Sequence, residues 1–172
     1  QMQKSEWVSY RNRITHAAKI GSEEYGLTVG IHPHAGGFID FEPEIEKLLN
    51  EVDEKILKIC FDTGHHSYAG YDPTSFIKRN INRISYMHFK DINPKVKANV
   101  VKNRTDFYTA CSDGIFCNLG DGDVDFLTIR NLLLTNNFQG WCTVEQDCDP
   151  EGNTSPLEDA KLNRKYLQSI GF

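Results

Sequence analysis

Four short apolar runs in this chain stop in the same way, and that repetition limits the folds open to it. Leu27-Thr-Val-Gly-Ile31 runs into His32-Pro33-His34. Leu57-Lys-Ile-Cys-Phe61 runs into Asp62-Thr63-Gly64-His65-His66. Ile84-Ser-Tyr-Met87 runs into His88-Phe89-Lys90-Asp91, and Trp141-Cys-Thr-Val144 into Glu145-Gln146-Asp147. Short apolar runs bounded by turn residues read as buried strands. Each run delivers metal-compatible or proton-transferring groups at its carboxyl end, so the four strands should lie parallel with those ends together.

Between the runs the apolar period changes to that of helices. The sequence predicts a helix over residues 5–20, with Ser5 as cap, Trp7, Tyr10, Ile14, Ala17 and Ala18 on one face, and Gly21 as its end. A second helix has Pro43 in its first turn, and Phe41, Ile45, Leu48, Leu49 and Val52 make its apolar face. Asp72-Pro73 opens a short helix carrying Phe76 and Ile77. Asp125 caps another with Phe126, Ile129, Leu132 and Leu133, and Ser155-Pro156-Leu157-Glu158 has the pattern of a capping box. Residues 93–124 are the least regular stretch. They read as a lid or substrate loop, or as a solvated connector containing a helix, with Asp121 and Asp123 as turn formers.

Strand–helix alternation at a spacing of roughly 30 residues points to a parallel sheet with helices outside. Site-bearing strands converge on one axis in a (β/α)8 barrel. An open doubly wound sheet usually carries a Gly-rich phosphate loop after its first strand, and no G-x-G-x-x-G occurs here. Four convincing strands in 172 residues fit the C-terminal half of a barrel, with residues 1–172 as one domain. A half-barrel has open strand edges, so self-association or a need for the other half is expected.

The 39% hydrophobic content suffices for a packed core, and a net charge of −5 without a Lys/Arg stripe gives no nucleic-acid footprint. No apolar stretch reaches a membrane span. Cys60, Cys111, Cys117, Cys142 and Cys148 form no Cys-x-x-Cys pair. They suggest a reducing cytoplasm, with Cys60 and Cys142 as buried thiols.

His32, Asp62, His88 and Glu145 make a mixed nitrogen and oxygen ligand set. Such a set suits Mn²⁺, Co²⁺, Zn²⁺ or Fe²⁺ better than Ca²⁺ or a thiolate-selected ion. An ion held there would polarise a carbonyl and stabilise charge developing when an adjacent proton is removed.

Several segments carry a resemblance. They are His-Pro-His-Ala-Gly (32–36), Phe-Asp-Thr-Gly-His-His-Ser-Tyr-Ala-Gly-Tyr-Asp-Pro (61–73), Met-His-Phe-Lys-Asp (87–91), Leu-Gly-Asp-Gly-Asp-Val-Asp-Phe (119–126) and Val-Glu-Gln-Asp (144–147). Through them the chain resembles the sugar isomerase/epimerase superfamily built on the xylose-isomerase-type TIM barrel. Within it, the chain is most similar to the inosose dehydratase family of inositol catabolism. The resemblance implies metal ligands at the ends of the last four barrel strands, matched in type by Asp62, His88 and Glu145. Where a Leu-Glu-Pro pattern is usual, this chain has Ile31-His32-Pro33. Loss of that glutamate argues against two-base epimerisation and fits a dehydratase.

The resemblance further implies that His65 contacts substrate oxygens. His34, His66, Lys90 and Glu145 are the candidates for base and acid, with His66 and Tyr68 as further substrate contacts. For Lys90 a salt bridge to Asp91 or Asp147 is the alternative; for His66, a capping or packing role. Asp147 could orient an imidazole ligand. The expected substrate is a keto-polyol such as 2-keto-myo-inositol. The alternatives are a sugar isomerase or epimerase, a related dehydratase acting on 3-dehydroshikimate, or a barrel fragment without catalysis.

Overall fold

The computed structural model describes residues 2–148 and 155–172. Four strands form one parallel sheet in the order β1 (Gly30–Ile31), β2 (Lys58–Asp62), β3 (Ile84–Phe89) and β6 (Trp141–Val144). All four strands expected from sequence are present and share one polarity. β1 is shorter than the expected 27–31, because it lies at the sheet edge and Leu27 is largely solvent-exposed.

Helices pack on the outer face. α1 (Lys4–Lys19), α2 (Glu42–Glu51), α3 (Thr63–Tyr68), α4 (Pro73–Asn80), α7 (Phe126–Thr135) and α8 (Pro156–Ser169) alternate with the strands. Ile59, Phe61, Met87 and Phe89 point outward and meet Phe76 and Ile77 of α4 and Phe126, Ile129 and Leu133 of α7. Phe61 stacks on Phe76 with centroids 4.7 Å apart. Burial of each such side chain contributes about 1.5–3 kcal/mol. A smaller cluster joins Trp7 and Ala18 of α1 to Leu48, Val52 and Leu57.

Local details depart from the sequence reading. α1 starts at Lys4, and the Glu6 carboxylate accepts from the Gln3 N–H at 2.7 Å, so Ser5 is inside the first turn rather than the cap. The helix does not stop at Gly21 but continues as a π turn, Ile20–Glu24. Gly21 serves a close approach instead: a Cβ there would lie 2.6 Å from Val29 Cγ2. Asp72 and Asp125 cap α4 and α7 as expected, whereas Ser155 makes no side-chain cap bond to α8. Cys60 and Cys142 are half-buried, not enclosed. Cys60 lies on the inner face of β2, away from the packed helices, because side chains alternate along a strand.

Residues 93–124 are ordered. They comprise α5 (Pro94–Asn103), α6 (Phe107–Ser112) and β5 (Phe116–Cys117), which pairs antiparallel with the preceding β4 (Asp91–Ile92). Ala110, Ile115, Phe116, Leu119 and Val124 belong to the main core, so the segment is more than a solvated connector. Its return loop is held by Asp91, which is fully buried. The Asp91 carboxylate accepts from the backbone N–H groups of Ile92 (2.9 Å), Gly120 (2.9 Å), Gly122 (3.1 Å) and Val124 (3.0 Å). Asp91→Ala strands these four buried donors and is expected to cost at least about 4 kcal/mol, since each unsatisfied buried donor costs roughly 1–3 kcal/mol. Urea denaturation measures it, and a loss below about 1 kcal/mol would mean that water replaces the carboxylate.

Candidate active site

The site begins where β2 becomes α3. Asp62 ends the strand and caps the helix, with Oδ1 accepting from the His65 N–H at 2.8 Å. The three-residue spacing from Asp62 to His65 is therefore that of an N-cap carboxylate to the backbone N–H that donates to it. One oxygen is spent on the cap, and the other, Oδ2, is buried without a hydrogen-bond partner. It lies 3.5 Å from His88 Nδ1 and 3.3 Å from Lys90 Nζ. His88 Nδ1 in turn lies 2.7 Å from Glu145 Oε2, yet it too has no hydrogen-bond partner of acceptable geometry. Glu145 is placed by its own N–H, which donates to the Phe89 carbonyl at 3.0 Å and extends the β3–β6 pairing by one residue.

Three donor atoms, one each from Asp62, His88 and Glu145, thus lie within 4.8 Å of one another. His32 is not in that group. Its Nδ1 is 3.3 Å from the Cys60 carbonyl, and its ring lies 4.7 Å from that of His88 and 5.7 Å from that of His65. It clusters with His34 and His65, and separately with Cys60 and His88. His34 Nδ1–H donates to the Ala35 carbonyl, 2.9 Å away, and its ring is 3.7 Å from that of His65.

Lys90 is fully buried at the centre of this arrangement. Its Nζ donates to Glu145 Oε1 at 2.6 Å and Asp147 Oδ2 at 3.2 Å, and stands 3.0 Å from His65 Nε2. It also lies 4.9 Å above the Phe116 ring. The expected alternative of an Asp91 salt bridge does not occur, because consecutive strand residues point to opposite sides and Asp91 is committed to the Gly120–Val124 loop. The Asp147 bond does occur. Gly64 makes room for the lysine stem: a Cβ there would sit 2.5 Å from Lys90 Cγ. Thr63 Oγ1 accepts from the Lys90 N–H at 2.9 Å and bonds the Lys90 carbonyl at 2.7 Å. This explains the Asp-Thr-Gly-His run residue by residue.

The electrostatics follow from the packing. Burial works against the Asp62 carboxylate, but the His88 contact and the Lys90 charge hold it below the usual range. His88 and Lys90 likewise hold Glu145 well below the usual carboxylate range. Asp62, Cys60 and Glu145 raise His88 to about 12. Burial works against the Lys90 ammonium, but Asp62, Glu145 and Asp147 outweigh it and raise its pKa. Burial, aided by Lys90, lowers His65 to about 3 and leaves it neutral.

His66 requires a correction. It does not face this cluster: its Nε2 lies 3.0 Å from Glu42 Oε2, and its ring packs on Phe61, Tyr71 and Phe76 behind the site. The cause is helical geometry, since adjacent residues on α3 point about 100° apart. Burial and the Arg79 charge lower its pKa from 6.5 to about 4. The unfolded chain takes up a proton near 6.5 that the folded chain refuses until about 4. Stability therefore falls as pH drops through that window, by about 3 kcal/mol at roughly 1.4 kcal/mol per unit. Denaturant midpoints at several pH values should show a shallower slope in His66→Gln; an unchanged slope counts against a neutral His66.

Phe107 of α6 closes one side, with its ring 5.5 Å from His34 and 5.8 Å from His65, and 5.5 Å from Tyr68. Tyr68 is therefore at the edge of the cluster, reached through Phe107. Sequence reading passed over Phe107 and the placement of Cys60 against His88 (Sγ to Nε2, 3.5 Å). The only available signal for the latter was its position two residues before Asp62.

A parallel β/α sheet with its polar cluster at the strand carboxyl ends has the architecture of a β/α barrel and the site location such barrels use. The chain belongs to the xylose isomerase-like TIM barrel family, whose model matches residues 3–170. It is similar to the inosose dehydratases of Clostridium tetani (36% identical over 163 residues, covering 95% of this chain and 54% of the relative) and Geobacillus kaustophilus (35% over 166 residues, 96% and 53%). The chain thus spans about half the length of these relatives.

Among solved structures, it superposes on the probable 3-DHS dehydratase AsbF of Bacillus anthracis with a TM-score of 0.74 at 21% identity, covering 98% of this chain and 58% of that one. It superposes on the IolI protein with a bound zinc atom at a TM-score of 0.70 and 17% identity, covering 99% and 58%. These likenesses establish the fold. No helix among the described residues is long and apolar enough to cross a membrane.

Proposed function

We propose that this chain is the metal-bearing C-terminal part, folded as one domain over residues 1–172, of a hydro-lyase that dehydrates a keto-polyol such as 2-keto-myo-inositol. The observation that carries the reading is the convergence of Asp62, His88 and Glu145 around two buried polar atoms, Asp62 Oδ2 and His88 Nδ1, that lack hydrogen-bond partners. Buried polar groups are normally satisfied, so these three residues fit a divalent ion, with Mn²⁺ or Co²⁺ favoured and Zn²⁺ or Fe²⁺ compatible. Such an ion supplies Lewis-acid polarisation of the substrate carbonyl.

The remaining roles fall to the chain's own groups. Lys90, kept protonated by three carboxylates, is suited to protonate the departing β-hydroxyl. His34 commits Nδ1–H to the Ala35 carbonyl and so presents Nε2 as the acceptor for the proton next to the carbonyl. Neutral His65 contacts substrate oxygen, and Phe107 shields the pair from water. Glu145, bonded to Lys90, orients the acid. The missing glutamate at His32 weighs against two-base epimerisation. The five cysteines are all unpaired, which suits a reducing compartment such as the cytoplasm.

The test is an absorbance assay of the metal-stripped chain with 2-keto-myo-inositol and added Mn²⁺ or Co²⁺, since the dehydrated diketone absorbs where the substrate does not. Metal-dependent product formation, lost in Glu145→Ala, is the expected result. An epimerised product would move the assignment to an isomerase. Tight metal binding without product would keep the site and reject the substrate or this chain's sufficiency. Neither product nor metal binding would reject the site.

A further inference from the structure

We propose that Cys60, His32 and His88 form a second metal site, selective for thiophilic ions, that shares His88 with the carboxylate cluster. The three side chains can each offer one ligand atom, all within 4.8 Å of one another. Cys60 Sγ lies 3.5 Å from His88 Nε2, and the rings of His32 and His88 are 4.7 Å apart. The His32 ring is oriented by the contact of its Nδ1 with the Cys60 carbonyl at 3.3 Å. A backbone carbonyl on one ring nitrogen is the usual way a metal-binding imidazole is held with the other nitrogen free.

One thiolate and two imidazoles, with room for water as a fourth ligand, make a site for zinc and its softer congeners. All three ligand residues are only partly buried, so solvent reaches the group. The ligand set differs in kind from Asp62, His88 and Glu145, where two of three donors are carboxylates.

His88 links the two sites. Its Nδ1 faces Glu145 and Asp62, and its Nε2 faces Cys60. A metal that displaces one proton from the His88 ring takes its single lone pair, so an ion at Nε2 and an ion at Nδ1 compete for the same ring. A soft ion bound at Cys60 therefore removes one ligand from the carboxylate cluster. The thiol site stands on its own geometry; only this competition rests on the function proposed above.

The experiment is a titration of the metal-stripped chain with Cd²⁺, followed by the sulfur-to-cadmium charge-transfer absorption in the ultraviolet. The band should saturate at one ion per chain, disappear in Cys60→Ser, and persist in the Asp62→Asn/Glu145→Gln double variant. His32→Asn should weaken Cd²⁺ binding by roughly 10-fold or more. Absence of the band in the wild-type chain, or its persistence in Cys60→Ser, overturns the site, because the thiol is then not the ligand. Loss of the band in a double variant that circular dichroism shows to be folded also overturns it. Mn²⁺ binding, read by electron paramagnetic resonance, should keep its affinity in Cys60→Ser. That measurement confirms folding and separates a failure of the thiol site from a failure of the carboxylate one.

Discussion

Asp62→Asn is expected to remove Mn²⁺ binding and to lower kcat/KM for dehydration by at least about 10³-fold, or roughly 4 kcal/mol. Asparagine keeps the oxygen that accepts from the His65 N–H at 2.8 Å, so α3 retains its cap and the fold should survive. The change is confined to Oδ2. There an amide donor replaces an anionic oxygen 3.5 Å from His88 Nδ1 and 3.3 Å from the Lys90 ammonium. Circular dichroism should match the wild-type chain while the Mn²⁺ isotherm collapses. An unchanged isotherm would show that the ion is not held at the end of β2, and the proposed reaction would lose its basis.

Lys90→Met is expected to act on stability and activity together. Methionine replaces the buried stem with a similar unbranched chain but deletes the ammonium bonded to Glu145 and Asp147 and facing Asp62. Glu145 and Asp147 are about a third exposed, so water relieves part of their repulsion, whereas Asp62 has no access to solvent. Stranding such a charge costs about 3 kcal/mol. Urea denaturation in chelator should show that loss, and saturating Mn²⁺ should return part of it, because an ion bound only to the folded state stabilises it. Loss of the proposed proton donor should lower turnover by 10²–10⁴-fold. Equal stability of variant and wild type in chelator would mean that the carboxylates are protonated or hydrated without the lysine.

The strand ends were legible from sequence because a strand that must stop at a polar group announces it in composition. Leu57–Phe61 is apolar and Asp62 is not, and the structure ends β2 there. Of the outer helices, α1, α2, α4, α7 and α8 were legible through spacing or caps, whereas the six-residue α3 was not. What escaped were features set by direction. His65 and His66 are adjacent and chemically identical, yet a turn of α3 sends one to the cluster and the other to Glu42. Lys90 and Asp91 are separated in the same way by the alternation of an extended chain. Cys60 read as a core thiol because apolar neighbours flank it, but alternation places it on the inner face beside His88. The register between β2 and β3 shifts between Ile59 and Cys60, and no local pattern reveals such a shift. The placement of Phe107 beside His34 and His65 depends on long-range packing of an inserted segment, which no short period encodes.

The Asp91 clasp separates two histories that one domain could follow. Residues 93–118 leave the sheet at Asp91–Ile92, and the loop that brings the chain back binds that same carboxylate through Gly120, Gly122 and Val124. Both ends of the excursion are therefore fastened at one point, beside the lysine of the cluster. An excursion anchored in this way is an exchangeable cassette. Its exposed side chains can drift, as long as the departing aspartate, the returning glycines and the core residues Val100, Ala110, Ile115 and Phe116 stay in place. Chains that keep Asp62, His88, Lys90 and Glu145 but differ between residues 93 and 118 should then share one reaction and differ in the molecule they admit. Grafting that stretch between two such chains, cut at Asp91 and Gly120 and keeping Phe107 and Phe116 against His65 and Lys90, is the natural way to move selectivity.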